Sequence, residues 1–477
     1  MACRGDTPKE ICPTDAMLET ELVWQKQGLL ALVPHVLRGG CFMVKHFVKS
    51  SLLVALALLL FAMPLSSAKA IDSIDMTEEA KLIKSRATDA GELLMAHYYY
   101  TGYIDKYPNY YAGCYIGDDN LLHIRVCYSS KNVVPEILEL LHEYQDVIVI
   151  EYGEYSRNEL LEYADSLANE LMDKGIAVTS WGVDEITSKV QIGVLDTEVM
   201  STQVLLNENE LSSLQPAIAE IEIKAQDYLE LESLTNGDPG SLINGSYSLG
   251  VYGYYNGQRA FVTCAHGGAV VGGTATIGSY ATGRYTYVQC AHDEIGDYAI
   301  GLLNGSVTMK HIFGSNDDYV IMGMAYSPLV GSDLYKYGGM SDSYASGEVI
   351  IRDTTFPVNY LGNSITVKGI SGMEIVSGST TGGDSGGPYV TYDYRFCGTH
   401  EGKLTDGTRT IVYFTPGKYI YRSGFTPLVD HTTNWVAKDE NYHHGTCPSC
   451  LKYSEEEHAP YWDETTIPHC TRCGFLG

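Results

Sequence analysis

Three short motifs in the C-terminal half of the chain carry residue types that together perform acyl transfer. They are Val262-Thr263-Cys264-Ala265-His266, Gly296-Asp297-Tyr298-Ala299-Ile300 and Gly382-Gly383-Asp384-Ser385-Gly386-Gly387-Pro388. Serine-based acyl transfer needs a hydroxyl nucleophile, an imidazole to take its proton and return it to the leaving amine, and a buried carboxylate to hold the imidazole tautomer. Ser385, His266 and Asp297 are the candidates for these three roles. The glycines around Ser385 permit a tight turn that aims the amides of Gly383 and Ser385 at one point, an oxyanion hole. Singly, a His at a strand end is more often structural and Asp-Tyr is a common pair; a Gly-Asp-Ser-Gly-Gly-Pro string is far rarer. Asp293 and Asp318 are competing carboxylates, but Asp297 alone precedes an apolar strand, 298–303, that can bury it. His292 lacks a preceding strand and reads as a surface residue.

The segments that must position these residues differ along the chain. From about Ser233 the pattern is of short strands separated by Gly, Asn, Asp and Ser, the signature of an antiparallel barrel or sandwich. Upstream, 77–99, 133–145 and 156–174 carry apolar positions at helical spacing, the last ended by Gly175. Strand-like runs stand between and after them: 111–116 and 121–128 around a Gly117-Asp118-Asp119-Asn120 turn, then 146–152, then 176–183 and 189–194 around a polar turn. That mixture describes an α+β domain. The stretch 231–240, rich in Gly, Asn, Asp and Pro, is a linker, and a further unit begins near His443.

The 477 residues are 45% hydrophobic and only 19% charged, with 49 Gly and 37 Tyr, which favours packed, β-rich structure. The net charge of −28 argues against a nucleic-acid partner, which would need a basic stripe. The excess is local: residues 71–232 hold 31 Asp and Glu against 10 Lys and Arg, which is 21 of the 28. At the start of the chain, Lys45 and Lys49 precede an apolar run over 52–63 and Ala68-Lys69-Ala70 follows it. That is the pattern of a signal peptide, too short to span a bilayer comfortably, cleaved after Ala70; an uncleaved anchor is the rival reading. Met43 opens the signal, so 1–42 reads as an upstream extension or a misassigned start. Export places the rest of the chain where disulfides are permitted, with no membrane span after cleavage.

At the three motifs the chain resembles the bacterial branch of the chymotrypsin fold, the streptogrisin and α-lytic protease-like secreted serine endopeptidases. Ser248-Leu249-Gly250-Val251 with Phe261-Val262-Thr263 is similar to that family's opening strands. Leu334-Tyr335-Lys336-Tyr337-Gly338, continuing to Ser346-Gly347-Glu348-Val349, is similar to the opening of its second barrel. The resemblance implies a mainly β fold, a chymotrypsin-like double antiparallel β-barrel with the site in the cleft. An α+β pro-domain precedes it, and a small zinc-ribbon-like tail follows. The expected divisions are 43–70 signal, 71–235 pro-domain, 236–435 protease domain and 440–477 tail. It further implies a buried ion pair between Lys336 and Asp384. The chain departs from the family at its cysteines: Gly267 follows the histidine where a Cys is usual. Cys264, Cys290 and Cys397 are an odd number that cannot all pair within the barrels.

The primary pocket should be lined by Ser379-Thr380-Thr381-Gly382 and Cys397-Gly398-Thr399-His400-Glu401-Gly402, with no Asp at its base. Thr380 and His400 offer a hydroxyl and an imidazole to an acidic side chain, an arrangement similar to glutamyl endopeptidases of the same fold. Glu230 and Glu232 stand beside the linker, where self-cleavage would free the enzyme. The acidic segment resembles the pro-regions of such proteases through its Tyr110-Tyr111-Ala112-Gly113-Cys114-Tyr115-Ile116-Gly117-Asp118-Asp119 stretch. The implied role is an intramolecular foldase and inhibitor; a permanent adhesive or regulatory domain is the rival. Cys114 and Cys127 flank this hairpin and are candidates for a bridge. In the tail, Cys447-x₂-Cys450 and Cys470-x₂-Cys473 have the spacing of a structural zinc site, remote from a catalysis that needs no cofactor. The expected partners are protein or peptide substrates. A catalytically silent protease fold used for surface binding or adhesion is the alternative function.

Overall fold

The computed structural model describes residues 77–477 apart from 208–210, 212–219, 232–241, 245, 278–279, 290–293, 304–308, 310–311, 314–318, 340–343, 361–362, 407, 430–433, 438–441, 458–459, 462–468 and 471–477. The signal peptide, the linker core, Cys290, His292, Asp293, Asp318 and Cys473 lie outside the described residues.

The chain begins with a helix over Glu78–Tyr100, started by the Thr77 hydroxyl, which accepts the Ala80 N–H at 3.2 Å, and by Glu78 and Glu79 in a first turn where negative charge suits the helix dipole. Its inner face buries Ala87, Ala90, Leu94, Met95 and Tyr98. Gly91 allows the close approach there, since a Cβ at this position would meet Leu329 Cδ1 at 2.1 Å. The expected hairpin forms from Tyr111–Ile116 and Leu122–Cys127, with Asn120 at φ 64° in its turn, and Ile148–Gly153 adds in parallel. The single helix expected over 133–145 is instead a short helix, Val134–Leu140, between two 3₁₀ turns, because Leu141 leaves the helical conformation and is fully buried. Helix Arg157–Asp173 has a full capping box between Ser156 and Glu159. Strands Val178–Val183 and Val190–Val194 follow as a hairpin, extended in parallel by Ile221–Ala225.

Two larger sheets carry the remainder, and the protein is mainly β. The first is an eight-stranded antiparallel sheet ordered Phe425–Pro427, Tyr252–Tyr255, Gln258–Thr263, Tyr298–Leu303, Tyr280–Gln289, Thr274–Ile277, Leu242–Ile243 and Tyr247–Ser248. In the second, six strands close into a ring: Asn363–Ser377, Arg409–Pro416, Arg395–Asp406, Pro388–Thr391, Asp333–Tyr337 and Tyr344–Tyr360, which pairs back to the first. The core of this barrel is Leu334, Val349, Met373, Tyr389, Cys397, Val412 and Phe414. Fully burying one such side chain stabilises by roughly 1.5–3 kcal/mol.

The acidic segment is not a separate body. From Met76 onward the chain clusters as one unit, and one apolar core runs from Ala87 through Tyr298 and Phe396 to Cys447 and Cys450. Val178–Val183 joins the barrel sheet where Trp181 pairs with Thr355. Below that junction lies a buried charge cluster. Arg352 reaches Glu185 at 3.0 and 3.1 Å, and Asp353 accepts from Lys418 at 3.1 Å and from Tyr107 at 2.7 Å, with Arg157 at 3.7 Å.

The hairpin register places Cys114 opposite Ile124, three residues short of Cys127. The two buried thiols therefore do not bridge, which corrects that expectation. Cys264 and Cys397 are likewise buried thiols. The tail contributes a three-stranded sheet, Asn434–Ala437, Tyr442–Thr446 and Tyr453–Glu457. A turn holding the buried Cys447 and Cys450 follows Tyr442–Thr446 and docks on the body, the Tyr326 hydroxyl donating to the Cys450 carbonyl at 2.7 Å. No helix among the described residues is long and apolar enough to cross a membrane.

Candidate active site

His266 stands three residues beyond strand Gln258–Thr263, and Asp297 immediately before strand Tyr298–Leu303, which pairs with it. Two neighbouring strands of one sheet thus deliver imidazole and carboxylate to the same end. Gly296, at φ 86°, makes the turn into Asp297 so close to Thr415 that a Cβ would lie 2.8 Å from the Thr415 methyl. Ser385 comes from the six-stranded ring of the second sheet, in the turn before strand Pro388–Thr391. There Gly383 and Gly386 occupy the left-handed region at φ 93° and 85°. A Cβ on Gly386 would collide with Thr263 Oγ1 and the Ser248 carbonyl, so this glycine is required where the barrels meet.

The three expected residues are brought together. His266 Nδ1 is 2.5 Å from Asp297 Oδ2, and His266 Nε2 is 2.8 Å from Ser385 Oγ. Asp297 Oδ1 accepts the backbone N–H groups of Ala265 and His266 at 2.9 and 3.0 Å. All three residues are buried. Burial alone would raise the Asp297 pKa, but the His266 imidazole and these hydrogen bonds outweigh it and hold the carboxyl at about 2. Burial disfavours a charge on His266, yet its neighbours Cys264, Asp297 and Glu401 lift its pKa well above the ordinary histidine value. Cys264, pushed up to about 12 by burial, is a neutral thiol.

A second polar chain lies behind Ser385. Lys336 and Asp384, both fully buried, are 2.5 Å apart. Lys336 Nζ also donates to Thr380 Oγ1 at 2.7 Å, and Thr380 Oγ1 lies 3.3 Å from His400 Nε2. His400 Nδ1 is 3.0 Å from the Tyr389 hydroxyl. Asp384 further accepts the Thr381 N–H at 3.1 Å, which fastens the turn before Ser385. Burial pushes the Asp384 pKa up, and the Lys336 ammonium more than reverses this.

Glu401 was expected only as part of the pocket-lining stretch, and Thr415 was not expected in the site. Glu401 and Thr415 sit behind Asp297: the Thr415 hydroxyl accepts the Asp297 N–H at 2.8 Å and donates to Glu401 Oε1 at 2.7 Å. The Glu401 carbonyl accepts from Ser385 Oγ at 3.0 Å. A strand normally turns alternate residues to opposite faces, so one of His400 and Glu401 would be expected to face solvent. The irregularity between His400 and Gly402 lets both be buried. The available signal was the His-Glu pair itself, two ionisable residues after an uncharged run over 396–399.

No family model matches the chain, and no curated protein matches it. Among solved structures, it is similar to a glutamic acid specific serine protease said to use a histidine triad in substrate binding. The two are 21% identical over 40% of this chain and 98% of that one, with TM-score 0.33. Cellulomonas bogoriensis chymotrypsin is 21% identical over 41% of this chain and all of its own, at TM-score 0.32. Thermobifida fusca protease A is 20% identical over 40% and 98%, at 0.33.

The Lys336–Asp384 pair makes a stability prediction. In Lys336→Met, Asp384 loses its buried cation, and unfolding in urea at pH 7 should fall by about 3–5 kcal/mol. Because the folded pKa of Asp384 is depressed, the pair's contribution is full above the unfolded value near 4 and is lost as pH falls through the folded value. The deficit of the variant should therefore shrink at acid pH; an equal deficit at both pH values contradicts the assignment.

Proposed function

We propose that the protein is a secreted serine endopeptidase made as a zymogen, with Ser385 as nucleophile, His266 as general base and acid, and Asp297 holding the imidazole. The observation that carries this reading is the continuous buried chain from Asp297 through His266 to Ser385 Oγ, at 2.5 and 2.8 Å. With Nδ1–H donated to Asp297, the lone pair of Nε2 faces the serine hydroxyl. Ser385 Oγ attacks the peptide carbonyl as its proton passes to Nε2. The amides of Gly383 and Ser385 hold the oxyanion, each such donor being worth on the order of 10²–10³ in rate. The imidazolium returns the proton to the amine as the C–N bond breaks. Water then repeats the sequence on the acyl-enzyme, giving the acid and free Ser385.

The pocket reading is a preference for Glu before the scissile bond, recognised by Thr380 and His400. Thr380 Oγ1 and His400 Nε2 lie 3.3 Å apart, His400 Nδ1 is 3.0 Å from the Tyr389 hydroxyl, and Lys336, paired with Asp384, stands behind Thr380.

Activation by removal of the acidic segment is supported by one strand pairing. Glu230–Leu231 runs antiparallel to Gly402 and Lys403, on the edge just past the point where Glu401 meets Ser385. An extended substrate would bind this edge by adding a strand. The next residue in sequence is Glu232, so the zymogen's own chain approaches the site in the sense of a substrate, with an acidic residue next in line. For the tail we propose a structural zinc. The described half of the set, Cys447 and Cys450, is buried in one turn, as such a site requires; the side chains of Cys470 and Cys473 lie outside the described residues.

Four outcomes are expected. Peptides with Glu before the scissile bond turn over faster than their Phe and Lys counterparts, and Ser385→Ala lowers turnover on the order of 10⁶-fold. Faster cleavage after Phe or Lys removes the Glu preference, and unchanged activity in the variant removes the enzyme. N-terminal sequencing of the secreted product should show a new terminus at Ser233, and a product that retains the acidic segment contradicts the zymogen reading. Elemental analysis should find one zinc per chain; none, with the tail cysteines oxidised, excludes it.

A further inference from the structure

The structure assigns to Glu401 a role as a fourth, positioning member of the His266–Asp297–Ser385 group, present in the resting protein as a neutral carboxylic acid that shares one negative charge with Asp297. This rests on the proposed endopeptidase reading and extends it.

Glu401 is 2% exposed, and its Oε1 is fixed by the Thr415 hydroxyl at 2.7 Å. Its Oε2 is buried without a hydrogen-bond partner and lies 3.4 Å from His266 Nδ1, the nitrogen that Asp297 already holds at 2.5 Å. One oxygen each of Glu401 and Asp297 and a ring nitrogen of His266 lie within 4.8 Å of one another. One N–H cannot serve two carboxylates, and two like charges at that range in a dry site repel by several kcal/mol.

One of the two must therefore carry a proton. Asp297 accepts two backbone N–H groups and the imidazole, three bonds that favour its ionised form. Among the described residues the Glu401 carboxyl takes one hydrogen bond at normal distance, from the Thr415 hydroxyl, so the proton belongs on Glu401 Oε2. The other titratable neighbour, Cys264, is a neutral thiol and brings no compensating cation. Burial first, and then the Asp297 charge, raise the Glu401 pKa well above the ordinary carboxyl value, in the same direction.

Two consequences follow. Thr415 ties the Asp297 amide and Glu401 Oε1 together, so Glu401 fixes where the carboxylate meets the imidazole. Moreover, a neutral Glu401 adds no second negative charge beside His266, whereas an ionised one would raise the His266 pKa further.

The test uses the full chain carrying Ser385→Ala, which cannot process itself, and reads His266 by NMR titration. In Glu401→Gln, an uncharged replacement of the same shape, the His266 midpoint should stay within about half a pH unit; a fall of more than about one unit, tenfold in proton affinity, shows that Glu401 was charged and overturns the proposal. Infrared spectra of ¹³C-glutamate-labelled protein give a second readout that does not depend on that variant folding. Glu92, raised by burial to about 8, is another protonated carboxyl, so the Glu92→Gln background is used. A protonated glutamate band at neutral pH should remain there, and its absence overturns the proposal. In the chain with Ser385 intact, Glu401→Ala should lower kcat on the order of 10²-fold, the cost of a ~1 Å misplacement, with KM little changed and with recovery in Glu401→Gln. An unchanged kcat contradicts the positioning role. If the Ser385 chain hydrolyses nothing, the endopeptidase reading fails, while the NMR and infrared results on Glu401 still stand.

Discussion

The site depends on one buried negative charge. Asp297 sits almost out of contact with water, where an unpaired carboxylate would cost several kcal/mol. It is retained because two backbone amides, an imidazole and the Thr415-linked edge of the second barrel converge on it. Every other feature of the site follows from keeping that charge in place. The imidazole is held in one tautomer, its free nitrogen is directed at Ser385 Oγ, and a second carboxyl, Glu401, is left to carry a proton.

The two large sheets supply this arrangement through residues that are not themselves reactive. Gly296 and Gly386 are places where a side chain would strike the opposite barrel, so the glycines set the distance between the sheets. The ion pair of Lys336 with Asp384 fastens the turn that carries Ser385, and the same lysine touches Thr380. Ser385 and the candidate pocket are therefore mechanically linked. The acidic segment is joined to the barrel by the Trp181–Thr355 pairing, by the Arg352–Glu185 pair and by the Tyr107 hydroxyl donating to Asp353. Parting it from the barrel would expose buried charges to water, where they are readily solvated, and with them the apolar face of the first helix.

What was legible in the sequence, and what was not, divides along local chemistry. His266, Asp297 and Ser385 could be picked out because each stands at a strand end or in a glycine turn whose backbone requirements are written in adjacent residues. The hairpin at 111–127 and the capping box at Ser156 were legible for the same reason. Glu401 was not, because its burial comes from a ladder irregularity between His400 and Gly402 that no neighbouring residue announces. Nor was the fusion of the acidic segment with the barrel sheet, since Trp181 and Thr355 lie far apart in sequence and neither carries a mark of the other. The Cys114–Cys127 bridge was misjudged by register, three residues of hairpin separating thiols that composition alone made plausible partners.

The central claim is that the buried Asp297–His266 pair makes Ser385 nucleophilic. A serine-directed phosphonate, followed by intact mass and peptide mapping, tests it most directly. The wild-type chain should gain a single adduct on Ser385, and Asp297→Asn should slow that reaction on the order of 10⁴-fold. No adduct on Ser385, or labelling at equal rates in the two proteins, would contradict the account.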